Sequence, residues 1–263
     1  MSYAVKQNRM STITRRKFLG LSALAVPAAL GADARFIEST SLRVTELQLN
    51  SAGKCRFVHF SDFHHKGDVR YAAEVVRTIN ELEPEFVCFT GDLVEEARFA
   101  TEALGFIQQI RAPVFGAPGN HDFRCGVSFL DYAAAFSATG GAWLADCSRV
   151  LPKHDLELVG MGEGSVHVFK APRASKQVLL MHYPEIARGM REQRFDLILA
   201  GHSHGGQVRF PFLGALIVPS GVGPYDHGYY ETPGGPLYVN AGIGTYLIPV
   251  RWNCRPEITV ITI

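Results

Sequence analysis

Five short apolar segments of this chain each run directly into Asp, Asn or His. The loops that follow them are Asp62-Phe63-His64-His65, Gly91-Asp92, Gly119-Asn120-His121-Asp122, His182 and Gly201-His202-Ser203-His204. Such segments, alternating with helical patterns, predict parallel strands that are covered on both faces. Because ligands bind outside the carboxyl ends of such strands, we expect the loops to meet at one edge. Buried Asp and His are costly unless they are paired or metal-bound, so the pattern predicts a metal site there.

The rest of the chain extends this α/β prediction. Apolar residues three and four apart predict helices at 69–82, 94–110, 127–138 and 184–193. β-rich runs predict a hairpin formed by 42–49 and 55–60, and strands at 85–90, 112–117, 156–161, 176–181, 195–200, 237–242 and 257–263. The expected architecture is two packed mixed β-sheets flanked by helices, with a single doubly wound sheet as the alternative.

Two of the loops carry donors at alternate positions. Asp62 and His64 are two residues apart, as are His202 and His204, so each pair of an extended segment can reach one ion from the same side. Carboxylate, amide and imidazole donors together suit divalent ions such as Mn, Fe, Zn or Co. The donors suffice for two divalent cations, with one carboxylate shared between them.

The segment 201–205 also fits the G-x-S-x-G pattern of a serine hydrolase. A nucleophile elbow requires a helix after the serine, which the sequence GGQVRFP at 205–211 does not favour. Beyond His204 the only Asp is Asp226 and the only His is His227, and these are adjacent in sequence and so poorly placed to form a relay. We therefore interpret Ser203 as a spacer between two histidines and keep serine hydrolysis as an alternative.

The first 34 residues differ from the remainder. A basic stretch without acids (Lys6, Arg9, Arg15, Arg16 and Lys17) precedes an uncharged run at 18–30 and small residues at 32–34. This order predicts a secretory signal at 1–34, since the run is short for a permanent membrane span. The segment TRRKFL at 14–19 resembles the twin-arginine export signal. We therefore expect export by that machinery to the periplasm or cell envelope, with membrane association as an option.

The composition of the chain limits its partners and its domain count. A length of 263 residues suits one large domain, which we place at 35–263 and expect to be a monomer. A net charge of +1 gives no electrostatic support for nucleic acid binding. The 5 cysteines are scattered without a C-x-x-C pair, which favours free thiols over a disulfide framework.

Taken in order, the motifs D-x-H (62–64), G-D (91–92), G-N-H-D (119–122), H (182) and G-H-x-H (201–204) resemble those of the calcineurin-like metallophosphoesterases. The sequences GHSHGGQ at 201–207 and NCRPE at 253–257 are similar to those of its exported bacterial YaeI/YkuE-type branch. The resemblance implies a four-layer α/β/β/α sandwich. It also implies a metal-dependent phosphodiesterase that uses two divalent cations.

The resemblance further implies roles for individual residues. The first metal would be bound by Asp62, His64 and His204, the second by Asn120, His182 and His202, and both by Asp92. His121 would lie beside the phosphate, with Asp122 orienting its ring. Many members carry Asp where this chain has Glu95. His65, Arg124 and Tyr183 adjoin these residues and are candidate contacts for substrate phosphate.

The expected reaction is hydrolysis of a phosphodiester or pyrophosphate bond by direct attack of a hydroxide that bridges the two metals. The substrate would be a small molecule or lipid-linked. An alternative is a pyrophosphatase of lipid A synthesis that acts on UDP-2,3-diacylglucosamine. The Pro- and Gly-rich stretch 211–236 fits either a pocket wall or a structural loop.

Overall fold

The computed structural model describes residues 14–49, 53, 55–162 and 171–263. The α-helices are α1 Arg15–Phe36, α2 Val69–Glu81, α3 Ala100–Gln108, α4 Asn120–Arg124 and α5 Phe129–Ala138. The strands are β1 Arg43–Gln48, β2 Arg56–Phe60, β3 Val87–Phe89, β4 Val114–Gly116, β5 Ala142–Trp143, β6 Ser148–Leu151, β7 Leu156–Gly160, β8 Lys176–Leu180, β9 Leu197–Ala200, β10 Arg209–Phe210, β11 Gly214–Ala215, β12 Gly228–Thr232, β13 Gly235–Val239 and β14 Glu257–Thr262. Short 3-10 helices cover Glu38–Thr40, Ala97–Phe99, Pro152–His154, Pro184–Arg188 and His204–Gly206.

The strands form two 6-stranded sheets and one 2-stranded ribbon, β10 with β11. The first sheet has the order β1-β14-β2-β3-β4-β5, and the second has the order β12-β13-β9-β8-β7-β6. Strands β2 to β5 are parallel, as are β7, β8, β9 and β13. Antiparallel pairing joins β14 to β2, β12 to β13 and β6 to β7. The predicted pair of mixed sheets is confirmed, and the alternative of a single doubly wound sheet is wrong.

Alternation along the strands divides the apolar core into layers. Phe57 of β2 and Leu158 of β7 belong to the core between the two sheets. Phe60 belongs to the core that the first sheet forms with α2, α3 and α5. On the outer face of the second sheet, Leu179 packs in a cluster with Ala187 of the 3-10 helix Pro184–Arg188. Each fully buried side chain of this size contributes about 1.5–3 kcal/mol, so the strands are fixed from both faces.

Two local predictions are wrong. The segments 42–49 and 55–60 do not form a hairpin, because β14 lies between β1 and β2, parallel to the first and antiparallel to the second. Alternation within the two segments cannot show that a third strand from the far end of the chain inserts between them. The helix predicted at 184–193 is reduced to the 3-10 helix Pro184–Arg188, which ends at Gly189.

Helix α1 covers most of the predicted signal segment. Residues 1–13, with Lys6 and Arg9, lie outside the described part of the chain. The segment Phe18–Thr40 has a mean hydropathy of 1.2 and is long and apolar enough to cross a membrane. At the end of α1, the carbonyl of Ala34 accepts a hydrogen bond of 2.9 Å from the Arg251 backbone N–H. The last turn of this apolar helix is therefore joined to the folded domain.

Candidate metal centre

The five motif loops lie at the carboxyl ends of β2, β3 and β4 in the first sheet and of β8 and β9 in the second. They bring their donor atoms together at one edge of the molecule. Asp62, His64 and His204 form one group of possible metal ligands. Asp92, His182 and His202 form another group. Both groups match the two sets that the resemblance implies, apart from Asn120, which lines the same cleft.

Hydrogen bonds to the outer ring nitrogens determine which nitrogens of three histidines face the site. His64 Nδ1 lies 2.7 Å from Glu95 Oε2, His182 Nδ1 lies 2.7 Å from the Thr90 carbonyl oxygen, and His202 Nε2 lies 2.8 Å from the Ser220 carbonyl oxygen. A neutral imidazole that donates from one nitrogen keeps a lone pair on the other. The inward atoms are therefore lone-pair donors, as in metal-binding histidines.

These inward nitrogens approach one another closely. His182 Nε2 is 3.1 Å from His202 Nδ1, and His64 Nε2 is 3.1 Å from His204 Nε2. If both rings of the pair His182 and His202 were neutral, each would donate its single proton to a carbonyl and two lone pairs would face each other, so positive charge is needed between them, either a second proton on His182 or a metal ion. A cation between such nitrogens removes their repulsion. The donor set therefore fits a metal ion.

Asp92 lies between the two groups of ligands. Its Oδ2 is 3.4 Å from His64 Nε2 and 3.1 Å from His182 Nε2, while its Oδ1 accepts a bond of 2.7 Å from the His121 backbone N–H. The side-chain oxygen of Asn120 is buried without a hydrogen-bond partner. Buried polar atoms of this kind are rare unless a ligand completes them. Both residues are thus positioned to contribute oxygen ligands.

Five of the candidate ligands have strained backbones. Asp62, His64, Asp92, His202 and His204 have φ values from 44° to 67°, in the left-handed region. Residues other than glycine avoid this region, and strain of this type costs about 1–3 kcal/mol per residue. Such residues cluster at functional sites, where the surrounding structure holds them. Their concentration here indicates that this edge is built to position side chains.

Glycine allows the loops to approach one another closely. At Gly91, with φ of +94°, an added Cβ would lie 2.3 Å from Gly119 N. At Gly201, an added Cβ would lie 1.9 Å from Ser61 Oγ. No side chain fits at either distance, so the motif glycines are required for the close approach of neighbouring loops.

The electrostatics of the site favour positive charge between the carboxylates. Burial acts to lower the pKa of His182, but the carboxylates of Asp92 and Asp62 raise it to about 10. Burial likewise acts to raise the pKa of Asp92, yet His182 and His64 hold it well below its usual range. Burial lowers the pKa of His202 to about 4, with a further contribution from the charge of His182.

Asp122 has different partners from the one predicted. Its Oδ2 accepts backbone hydrogen bonds from Asp92 and Gly119, and its Oδ1 accepts bonds from the Leu93 backbone and the Tyr132 hydroxyl, all at 2.8–2.9 Å. With four bonds already accepted, the carboxylate joins the two loops and does not orient the His121 ring. Burial and the charge of Asp92 raise the pKa of Asp122 to about 6.

Glu95 is the carboxylate that approaches the imidazole rings of His64 and His121. Its Oε2 is 2.7 Å from His64 Nδ1, and its Oε1 is 3.5 Å from His121 Nδ1. The extra methylene of Glu, compared with an Asp at this position, does not prevent this contact. Burial acts to raise the pKa of Glu95, but the hydrogen bond and charge of His64 lower it. Burial lowers the pKa of His121, although the charges of Asp92 and Glu95 oppose that effect.

The candidate substrate residues separate into two groups. Arg124 and Tyr183 line a cleft of about 160 Å³ together with His121 and the candidate ligands. His65 does not, because its ring is buried against Phe63 and Phe106 and its Nε2 contacts Glu102. The prediction that His65 contacts substrate is therefore wrong.

Sequence reasoning missed one residue of the cleft. The ring centroid of Tyr246 lies 5.1 Å from that of His121 and 5.8 Å from that of His64. Tyr246 follows β13, a sixth strand whose carboxyl end reaches this edge. The only sequence signal for it is that a further parallel strand, "LYV", runs directly into Asn240.

The serine hydrolase alternative is not supported by the geometry. Ser203 is fully buried, and its Oγ accepts a bond of 3.0 Å from the Gly205 backbone N–H. The segment after it is the 3-10 helix His204–Gly206, too short for a nucleophile elbow. His227 contacts Glu257, and Asp226 contacts Arg209, so neither forms a relay with the serine.

Sequence comparison shows the family to which this site belongs. The calcineurin-like phosphoesterase family model matches residues 55–206, more than half of the chain. The chain is therefore a member of the calcineurin-like phosphoesterases, a family of metal-dependent phosphoester hydrolases.

Individual relatives are similar over nearly the full length. The chain is 30% identical to the uncharacterized metallophosphoesterase YkuE of Bacillus subtilis (97% of this chain and 99% of that protein). It is 27% identical to the phosphodiesterase YaeI of Escherichia coli K12 (95% and 98%). It is 25% identical to the UDP-2,3-diacylglucosamine pyrophosphatase LpxG of Chlamydia trachomatis (89% and 93%). The crystal structure of TT1561 of Thermus thermophilus has the same fold, with a TM-score of 0.50 at 10% identity over 72% of this chain and 90% of that one.

Proposed function

We propose that this chain hydrolyses phosphodiester bonds with the aid of two divalent cations. One cation would be held by Asp62, His64 and His204, the other by Asn120, His182 and His202, and Asp92 would contact both. The observation that carries the proposal is the convergence of two donor groups, since the ligand atoms of Asp62, His64 and His204 lie within 4.8 Å of one another, as do those of Asp92, His182 and His202.

Bound at these residues, two cations would supply Lewis acidity and lower the pKa of water toward neutrality. The residues of the chain would perform the remaining tasks. Arg124 would pair with a phosphoryl oxygen, since it is the guanidinium that lines the cleft. His121 would donate a proton to the leaving oxygen, an effect worth about 10²–10⁴-fold in rate. Because Ser203 is buried and bonded to Gly205, we propose direct attack by water without a covalent intermediate.

The bond type follows from the relatives. YaeI is named a phosphodiesterase, whereas LpxG is named a pyrophosphatase of UDP-2,3-diacylglucosamine. The phosphodiester is the first choice because the identity to YaeI is higher and covers more of both chains. Hydrolysis of a pyrophosphate bond is the second candidate. Parallel assays on a diester, a monoester and a nucleotide pyrophosphate separate the three bond types.

The test is an assay of the purified full chain on bis-p-nitrophenyl phosphate with Mn, Fe, Zn or Co. We expect activity with at least one of these ions, its loss on chelation, and its loss in Asp92→Asn together with a lower content of bound metal. Ser203→Gly serves as the control for the alternative. Chelator-resistant activity that disappears in Ser203→Gly would refute the two-metal proposal.

We also propose that residues 1–34 direct export by the twin-arginine route to the periplasm or cell envelope. The support is the pair Arg15-Arg16 directly before an apolar helix that is long enough to cross a membrane. Replacing both arginines by lysine is expected to leave the protein in the cytoplasm, as measured by cell fractionation. Unchanged export of this variant would refute the proposed route.

A further inference from the structure

An apolar groove of about 350 Å³ lies beside the metal cleft, formed by residues of 203–208, 216–219 and 246–250. Within the described part of the chain, none of its lining residues is Asp, Glu, Lys or Arg. Its rim is unusually exposed for apolar residues: Ile217 is 76% exposed, Leu247 78% and Ile248 64%. Hydrocarbon is the chemistry that such a surface fits.

The apolar groove is continuous with the cleft. His204, Pro219 and Tyr246 line both cavities. A ligand whose phosphate occupies the cleft therefore has the groove as the adjoining space for the rest of the molecule. This continuity shows that the groove adjoins the reaction site and is not an unrelated surface patch.

The neighbouring ribbon adds further exposed apolar residues. The turn between β10 and β11 carries Phe212 and Leu213, which is 84% exposed. The ribbon continues directly into the groove wall, because the Leu216 backbone N–H donates to the Val208 carbonyl at 3.2 Å. Contiguous exposed apolar side chains of this type mark surfaces that contact membranes or partners.

The position of helix α1 indicates that this apolar surface contacts a membrane and not a protein partner. Its last turn is bonded to Arg251, the residue after Val250 of the groove wall. At 1.5 Å per residue the helix is roughly 33 Å long, of which the uncharged residues 18–32 account for roughly 22 Å, so it reaches well into a hydrocarbon layer of about 30 Å. Phe36 and Ile37 at this end are also exposed. The end of the apolar helix and the groove wall thus meet at adjacent residues, so a membrane that held the helix would lie close to the groove.

We propose that the apolar groove binds an acyl chain of a membrane lipid whose phosphodiester occupies the metal cleft. This inference rests on the proposed phosphodiesterase function and specifies its substrate class. The acyl chain of the lipid lies along Ile217 and Ile248 and passes Tyr246, and the phosphodiester to which it is attached lies in the cleft. The substrate is accordingly taken from the membrane surface, and water-soluble diesters lack the apolar part of its binding energy.

The test compares ethyl and octyl esters of p-nitrophenyl phosphate with the full chain. A fully buried methylene contributes about 0.8 kcal/mol, close to fourfold in binding, and a half-buried one roughly twofold. We expect kcat/KM for the octyl ester to exceed that for the ethyl ester by on the order of tenfold or more. In the variant Ile217→Ser/Ile248→Ser this ratio is expected to fall to a few-fold. Leu130→Ser, at an equally exposed apolar position on α5, should keep the wild-type ratio.

A second measurement is independent of catalysis. The metal-free chain is expected to raise the fluorescence of an anthroyloxy-labelled stearate, and phospholipid vesicles should compete for that probe. In Ile217→Ser/Ile248→Ser most of this increase in fluorescence should be lost, whereas Leu130→Ser should show the full increase. Loss of all esterase activity with the probe still bound in the groove would refute the proposed function while leaving the groove assignment standing.

Three results would overturn the inference. The first is a ratio of octyl to ethyl kcat/KM near one in an active wild-type enzyme. The second is the same ratio in wild type and in Ile217→Ser/Ile248→Ser. The third is a dimer that forms as protein concentration rises and excludes the probe, since the groove would then be an interface between two copies of the chain.

Discussion

The buried carboxylate of Glu257 makes the stability of this fold depend on acidity in a defined range. Its Oε1 accepts hydrogen bonds from Thr45 and Tyr238, and its Oε2 accepts bonds from the Ala241 backbone and from His227, all at 2.7–3.1 Å. These bonds tie β14 to β1 and β13, one strand from each sheet. Burial opposes the charged form, but His227 and the other donors lower the pKa of Glu257 from 4.5 to about 2.

The size of the effect follows from this pKa. Because the folded pKa lies below the unfolded one, the stabilisation is fully present above pH 4.5 and is lost as the pH falls toward 2. Each pH unit between the two values corresponds to about 1.4 kcal/mol, so the carboxylate contributes about 3 kcal/mol at pH 7. Glu257→Gln removes this charge and presents an amide N–H₂ group to donors, so we expect a loss of about 3 kcal/mol at pH 7.

The assay is urea unfolding of wild type and Glu257→Gln at pH 7, 5, 4 and 3 with chelator present throughout. The difference in unfolding free energy is expected to shrink from about 3 kcal/mol at pH 7 to roughly 1.4 kcal/mol at pH 3, about half of its full value. Glu74→Gln, whose carboxylate is exposed on α2, should stay within about 0.5 kcal/mol of wild type. A difference between wild type and Glu257→Gln that stays constant from pH 7 to pH 3 would refute the reasoning.

Three further predictions concern the metal centre. Replacing His121 by Asn is expected to lower kcat on the chromogenic diester by ~10²–10⁴-fold while bound metal stays at the wild-type amount. Replacing Glu95 by Ala releases the His64 ring and is expected to weaken metal retention by ~10–100-fold, measured by competition with a chelator. Replacing Gly91 by Ala puts a methyl group 2.3 Å from Gly119 N, so we expect a loss of roughly 2 kcal/mol in urea unfolding.

The Gly91 variant has a matched control, and each of the three predictions has a result that would contradict it. Gly105→Ala in α3, where an added Cβ meets nothing within 4 Å, should gain about 0.5–1 kcal/mol. If Gly91→Ala were as stable as wild type, the close contact of the two loops would not limit that position. An unchanged kcat in His121→Asn would show that the His121 ring does not donate the proton to the leaving oxygen. Unaltered metal retention in Glu95→Ala would show that its contact with His64 is not needed for binding.

The convergence of the motif loops within one sheet could be predicted from sequence because it depends on strand direction. Parallel strands of one sheet end at one edge, so Asp62 and Asp92 meet there, but His182 follows a strand of the second sheet and joins them only because the two sheets pack with these edges together. The grouping of ligands into two sets came from the family resemblance. The insertion of β14 between β1 and β2 could not be predicted, since local alternation carries no information on strand order.

The errors within the site have physical causes. His65 follows His64 in sequence, but its ring lies toward α3, where its Nε2 contacts Glu102. Asp62 and His64 have left-handed φ values of 53° and 44°, so alternation along an extended segment does not describe this loop. Asp122 is adjacent to His121 in sequence, but it lies in the first turn of α4, where its carboxylate accepts backbone N–H groups. The roles of Glu95 and Tyr246 depend on tertiary contacts that no short motif contains.

The position of β14 has a consequence for the synthesis of the protein. Residues 257–262 supply an interior strand of the first sheet, the sheet that also carries Asp62, Asp92 and Asn120 on its loops. While these residues are still within the ribosome, β1 has no partner and β2 has one unpaired side. The first sheet therefore cannot be assembled strand by strand in the order in which the strands are synthesised. The first sheet is complete only once β14 has been synthesised and has paired with both β1 and β2.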